Sequence, residues 1–111
     1  MKLEYTPHNM ADVEVKIVTK LFEMLEGEGW EVTSVEDGGD DVPANTWSDA
    51  LETIDSVEWS ELRVTKDGRK AYVVLILGNG IDVVADYSYA WPDFEALMER
   101  HADWVETLTE D

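Results

Sequence analysis

The sequence predicts an α+β domain in which an antiparallel sheet of three to four strands packs against three helices, in the order α-β-α-β-β-β-α. Two observations carry this prediction. Segments near both ends of the chain repeat apolar residues at helical spacing, and residues 57–87 form three apolar segments separated by glycine-containing turns. Because the 111 residues are 44% apolar and show no internal repeat, we expect one domain over residues 1–111.

The first helix is predicted to run from Met10 to Gly27. Asn9 is a suitable N-cap, and a glycine after the apolar pattern allows the left-handed backbone that commonly ends a helix. Its apolar stripe consists of Val13, Ile17, Val18, Leu21, Met24 and Leu25.

A short strand, Trp30–Val35, follows, and its loose alternation indicates a position at the edge of the sheet. Residues 36–45 hold two glycines, a proline and four acids, so we expect a solvated acidic loop. Thr46 or Asn45 then caps a short second helix. Its inner stripe is Trp47, Ala50, Leu51 and Ile54, and its outer face carries Asp49, Glu52 and Asp55.

The meander over 57–87 is predicted from its apolar segments and turns. A strand at 57–65 continues through Asp67-Gly68, a pair that supplies the positive φ of a hairpin turn, into the strand Lys70–Leu77. The unbroken apolar run of that second strand predicts a central position with cover on both faces. Gly78-Asn79-Gly80 predicts the next hairpin turn, and the third strand is expected at Ile81–Tyr87.

The last helix has the clearest amphipathic pattern in the chain. Pro92 suits its first turn, because proline lacks the N–H group that would be unsatisfied there. His101 falls on the apolar stripe, so we expect it to be a hydrogen-bonded core residue. The stripe consists of Phe94, Leu97, Met98, His101, Trp104, Val105 and Leu108.

The chain is extremely acidic, with 26 Asp and Glu against 8 Lys and Arg and a net charge of −18. This charge excludes direct binding of nucleic acid through phosphate neutralisation and disfavours docking on anionic membranes. The window between Lys20 and Arg63 contains thirteen acids and no base. Half of the bases fall in and around one hairpin, which predicts a mildly basic tip on an anionic surface. These four bases are Arg63, Lys66, Arg69 and Lys70.

No motif in the sequence predicts catalysis, a cofactor or a metal site. The absence of cysteine excludes disulfides, thiol chemistry and cysteine-ligated zinc. Paired carboxylates arise by chance among so many acids, and Gly78-Asn79-Gly80 lacks the lysine and following helix of a phosphate-binding loop. We therefore expect a non-enzymatic protein. The N-terminus, MKLEYTPHNM, lacks an apolar signal segment, so we expect a cytoplasmic location.

The favoured interpretation of the charge is electrostatic competition. Carboxylates three or four residues apart on a helix have Cβ atoms about 5–6 Å apart, which is of the order of the phosphate spacing along a nucleic-acid strand. Such an array can occupy a groove of basic side chains that normally binds phosphates. The predicted partner-binding surface comprises Glu36, Asp37, Asp40, Asp41, Asp49, Glu52, Asp55 and Glu58. The second choice is the face of the last helix with Asp93, Glu95, Glu99, Asp103 and Glu106.

In size, absence of cysteine, charge and its acid-only window from Leu21 to Leu62, the chain resembles the small acidic inhibitors of phages and mobile elements. These are anti-CRISPR and anti-restriction proteins, many of them DNA mimics. The resemblance is to a class and includes no specific motif, so no binding residue is carried over. It implies a basic, nucleic-acid-binding host defence complex as partner, from which the chain would exclude DNA or RNA.

Two other interpretations are compatible with the sequence. One is an adaptor or inhibitor that docks through an aromatic and apolar surface, for which Tyr87, Tyr89 and Trp91 are candidates. A homodimer is a variant of this interpretation, although the charge favours a monomer. The other is an ordinary cytosolic protein adapted to high salt, where screening removes the repulsion among the acids.

Overall fold

The computed structural model describes residues 1–109 and confirms the α+β class; the last two residues of the predicted domain lie outside this range. Within it, three helices and five strands follow in the order α-β-β-α-β-β-β-α. The predicted order lacked one short strand. The elements are α1 Asp12–Gly27, β1 Glu31–Glu36, β2 Asp41–Pro43, α2 Trp47–Asp55, β3 Trp59–Lys66, β4 Arg69–Ile76, β5 Val84–Tyr87 and α3 Pro92–Glu106, with a 3-10 turn at Thr107–Thr109.

The five strands form one antiparallel sheet in the order β2-β1-β3-β4-β5. The sequence predicts an edge position for β1, but β2 pairs with β1 and takes that edge. The additional strand lies inside the predicted acidic loop 36–45, where its proline and flanking acids concealed a three-residue strand. That loop is a hairpin, and Asp37 N donates to Asp40 O at 2.9 Å to close its tip.

The connections β3–β4 and β4–β5 differ in length. Asp67 and Gly68 have φ angles of 51° and 80°, so the β3–β4 turn has the predicted left-handed geometry. Gly78-Asn79-Gly80 lies in the connection between the antiparallel strands β4 and β5, as predicted. The connection is longer than expected, spanning 77–83, so the third strand begins at Val84 and not at Ile81. Ile81 packs against the core from this loop instead of pairing in the strand.

The helices lie on one face of the sheet, with α2 packed on β1 and β3 and α1 packed on α3. The second meander strand, β4, lies inside the sheet between β3 and β5 as predicted, but the prediction that it is covered on both faces is wrong. β3 is the central strand, and the outward residues of β4 are half-buried side chains that do not pack against the core. The inward residues of these two strands are Ser60, Leu62, Val64, Ala71, Val73 and Leu75.

The helix ends agree only in part with the sequence predictions. Thr46 caps α2 as predicted, since its Oγ1 accepts from Asp49 N at 3.0 Å. Asn9 does not cap α1: the helix starts after Ala11, whose N–H donates to the Glu14 carboxylate at 2.9 Å. His101 is buried as predicted, with Nε2 hydrogen-bonded to the carbonyl oxygen of Ile17 at 2.9 Å. Because a carbonyl only accepts, Nε2 is the protonated nitrogen and ties α3 to α1.

Candidate acidic interface

The predicted partner-binding acids belong to the β1–β2 hairpin, to α2 and to the residue before β3. β2 leaves the sheet beside Thr33, whose carbonyl accepts from Ala44 N at 3.1 Å. α2 then runs back along β1 and returns the chain at Trp59, whose ring lies close to Gly38 in the hairpin tip. The residue before β3 is thereby brought close to the hairpin tip, and α2 packs on the strand that carries the hairpin.

Two of the eight acids are neutralised by Arg63 on β3. The guanidinium forms ion pairs with Glu36 at 2.9 Å and with Asp41 at 3.5 Å, and a third with Glu61 at 2.9 Å. The hydrogen bond to Glu61, followed by the charges of all three carboxylates, raises the pKa of Arg63. Glu36 and Asp41 thus hold the base of the hairpin together, and Arg63 already compensates part of their charge.

The mildly basic tip predicted at the β3–β4 hairpin is largely compensated as well. Arg69 binds both carboxylate oxygens of Asp93 at 2.8 and 3.0 Å, and Lys66 lies 3.8 Å from the same carboxylate. This contact lowers the pKa of Asp93, chiefly through the hydrogen bond from Arg69. Lys70 is the one base of the predicted tip without an ion pair within residues 1–109.

Asp55 is not on the outer face of α2. Its side chain is 2% exposed and binds the N-terminal segment, accepting from Tyr5 Oη at 2.6 Å and from the backbone N–H groups of His8 and Asn9, both at 2.9 Å. Burial alone raises the pKa of Asp55, but the hydrogen bonds together outweigh it and hold the pKa below the usual value. Asp55 is therefore a structural anchor, and the prediction that it belongs to the outer face of α2 is wrong.

The other five predicted acids form a set that we call the acidic ridge; four of them are exposed and Asp37 is half-buried. Asp37 Oδ1 accepts from the N–H groups of Gly39 at 3.0 Å and Asp40 at 2.8 Å, which lowers the pKa of Asp37. Asp49 Oδ2 accepts from Asn45 N at 3.1 Å. The other three carboxylates have no hydrogen bond or ion pair with any residue of the described range. The ridge consists of Asp37, Asp40, Asp49, Glu52 and Glu58.

Exposed acids also occur outside the ridge. Of the second-choice surface on α3, Asp93 is paired with Arg69, whereas Glu99 and Asp103 are exposed. Glu23 and Glu26 on α1 are exposed too. Negative charge thus surrounds the helical layer, and the ridge differs by presenting its acids from both a closed hairpin and a helix.

Aromatic side chains mark two further surfaces. Tyr87 and Tyr89 stack with ring centroids 4.9 Å apart, and Tyr89 is 63% exposed. Trp91 is half-buried, because its Nε1 donates to Lys70 O at 2.8 Å and its ring packs at the start of α3. Trp59 is 38% exposed on the uncovered face of the sheet. Its outward position follows from the alternation of β3.

The described residues contain no cluster of three or more side chains suited to hold a metal ion. None of the helices in this range is long and apolar enough to cross a membrane. No protein-family model, curated protein or solved structure matches this chain. What the protein does is therefore inferred from its own residues and their arrangement.

Proposed function

We propose that this chain is a non-enzymatic protein ligand that occupies the cationic nucleic-acid-binding groove of another protein through its acidic ridge. One observation carries the proposal: Asp40, Glu52 and Glu58 are exposed, and no base within residues 1–109 neutralises them. A groove lined by lysine and arginine can supply the missing cations through charge-assisted hydrogen bonds. The same groove then cannot bind phosphates, so the expected effect is inhibition of DNA or RNA binding.

The way in which the ridge is held supports this role. Asp37 is fixed by two backbone N–H groups and Asp49 by one, so these side chains lose little freedom on binding. The hairpin that carries Asp37 is braced at its base by Arg63. The lowered pKa of Asp37 keeps that carboxylate charged in mildly acidic solution.

The charge of the whole chain supports rapid association. A net charge of −18 attracts a basic surface over distances of about a Debye length, roughly 8 Å at physiological salt. The class that the sequence resembles supplies the proposed partner: a CRISPR effector or a restriction enzyme. By binding there, the chain would keep DNA or RNA out of that enzyme's cleft.

Two triple variants with equal net charge test the proposal. D40N/E52Q/E58Q removes three carboxylates of the ridge, and E23Q/E99Q/D103N removes three from α1 and α3. Displacement of labelled DNA from a CRISPR effector and from a restriction enzyme is measured by fluorescence anisotropy. We expect the ridge variant to need about ten times more protein, since each exposed pair contributes about 0.2–1 kcal/mol. The helix variant should stay close to the unmodified protein.

Binding of the chain to lysozyme, a basic protein without a nucleic-acid groove, controls for attraction by charge alone. Equal losses for the two triple variants would mean that net charge and not the ridge governs binding. Failure to displace DNA from either enzyme would contradict the proposed partner class.

A further inference from the structure

The sheet has an apolar surface on the side away from the helices. Tyr72, Val74 and Ile76 point outward from β4, and Trp59 of β3 pairs directly with Ile76. All four are partly or largely exposed, and none belongs to the core or packs against it. We call these four residues the outer apolar face.

This composition is unusual for a sheet face that meets water. An antiparallel sheet with helices on one side normally places polar residues on the other, as β3 does with Glu61, Arg63 and Thr65. A strand that is apolar on both sides, as β4 is, is typical of a sheet covered on both faces. Within residues 1–109 the chain covers only one of them. We propose that the outer apolar face is the docking site for a cationic amphipathic helix of a partner protein.

The charges around the face determine which partner fits. Val74 lies opposite Glu61 on one side and Asp86 on the other, and paired residues of neighbouring strands project from the same face. The nearby Arg63 binds Glu61 together with Glu36 and Asp41, so this cluster keeps an excess of two carboxylates. Lys70, two residues before Tyr72 on the outward side of β4, has no ion pair within residues 1–109. Around the apolar strip, four carboxylates (Glu36, Asp41, Glu61 and Asp86) therefore outnumber the two bases Arg63 and Lys70, and this excess suits lysine or arginine on the flanks of the incoming segment.

A second copy of the chain fits this surface poorly. It would bring the same flanking carboxylates into contact with Glu61 and Asp86, and each copy carries a net charge of −18. The length of the face suits a helix. Tyr72 to Ile76 spans about 14 Å along the strand, which equals roughly nine residues of α-helix. Such a helix would complete a second helical layer on the sheet.

The test uses a synthetic helical peptide of leucine and lysine, with leucine on one face and lysine on both flanks. Binding to the 15N-labelled protein is followed by NMR. We expect shifts in the amides of Tyr72, Val74 and Ile76 and in the indole of Trp59. A peptide with glutamate in place of lysine keeps the apolar stripe and should not bind.

Variants separate this surface from the acidic ridge. V74T/I76T keeps β-branched side chains and should lower the affinity for the lysine peptide about tenfold or more. D40N/E52Q/E58Q, in contrast, should change this affinity less than threefold. Thermal melts of both variants check that they are folded. The inference is independent of the proposed function. D40N/E52Q/E58Q tests the proposed function, whereas V74T/I76T tests the docking site on β4.

Four results would overturn the inference. The first is a set of peptide-induced shifts on α1, α3 or the ridge and not on β4. The second is unchanged affinity in V74T/I76T, and the third is equal binding of the glutamate peptide. The fourth is a dimer of the protein alone, seen by sedimentation and lost in V74T/I76T. That result would assign the face to a second copy instead.

Discussion

Single acids in this chain have different tasks that their sequence positions do not reveal. Asp49, Glu52 and Asp55 recur every three residues, yet only the first two are exposed. Each residue of an α-helix turns by about 100°, so Asp55 lies roughly 120° around the axis from Asp49. That rotation directs Asp55 toward Tyr5 and the N-terminal segment. The sequence predicted the helix correctly, but it could not show which chain segment would cover this side.

The anchor at Asp55 leads to a prediction on stability. D55A leaves two backbone N–H groups without their acceptor, so we expect it to lower the free energy of unfolding by about 1–3 kcal/mol at pH 7. Because the folded state lowers the pKa of Asp55, its contribution is complete above the ordinary value of 3.8. The contribution fades as the pH falls through the lower folded value. Urea unfolding of both proteins at several pH values measures this difference, and a pH-independent difference would contradict the prediction.

The partner of Asp55 provides a second readout of the same contact. The hydrogen bond to Asp55 raises the pKa of Tyr5 to about 12. The contact therefore stabilises the fold below the ordinary tyrosine pKa of 10 and is lost as the pH rises through 12. In D55A this tyrosine should titrate near its ordinary value. Ultraviolet titration, with Y5F to identify the signal, follows the change.

At the scale of elements, strong local patterns were predictive and weak ones were not. The stripe of α3 and the Asp67-Gly68 turn follow from spacing and backbone preference, and both are found in the structure. β2 was missed because a strand of three residues has too few positions to show alternation. The apolar run of β4 was interpreted as doubly covered, since composition reports that a surface avoids water and not which molecule covers it.

The pairing of α3 with α1 through His101 leads to a prediction on pH. Burial, with a smaller effect of the charge on Lys20, lowers the pKa of His101 below 6.5, although its bond to Ile17 acts in the opposite direction. The unfolded chain then binds a proton that the folded chain refuses, so this group makes stability fall as the pH drops below about 6.5.

H101Q keeps a donor for the Ile17 carbonyl and cannot titrate. We expect the difference in unfolding free energy between H101Q and the unmodified protein to shrink as the pH falls from about 7 to 5. Urea unfolding across this range measures it, and the carboxylates common to both proteins cancel in the comparison. A difference that stays constant would show that His101 has an ordinary pKa.

The whole molecule is a small body under strong internal repulsion. Its radius of gyration is 12.9 Å, and its net charge is −18. At about 0.01 M salt the Debye length is roughly 30 Å, so acidic groups throughout the molecule repel one another. At about 0.15 M salt the Debye length is roughly 8 Å, and only neighbouring acidic groups still repel one another. The sequence predicted the charge and the base-free window. It could not predict that Arg63 would bind three acids, because the contact with Glu36 joins residues 27 positions apart.

This repulsion predicts that thermal stability rises with salt. We expect the melting temperature to increase by on the order of 5 °C between about 0.01 and 0.15 M sodium chloride, and to level off above that. The chain should stay folded at the lowest salt, because its buried apolar core is independent of screening. Calorimetry measures the effect, with E23Q/E99Q/D103N as a control that should respond less. A chain that unfolds at low salt would favour the salt-adapted interpretation.

The two edge strands of the sheet, β2 and β5, affect the tendency of the concentrated protein to form fibrils. Its most apolar strand, β4, is flanked by neighbours on both sides, while the two outermost strands contain three and four residues. One of them ends in Pro43, which has no N–H to offer to an added strand. Unpaired backbone is therefore short at both borders, and fibril growth by strand addition has little template. We therefore expect the protein to reach high concentration without forming fibrils, even though the outer apolar face is uncovered within residues 1–109.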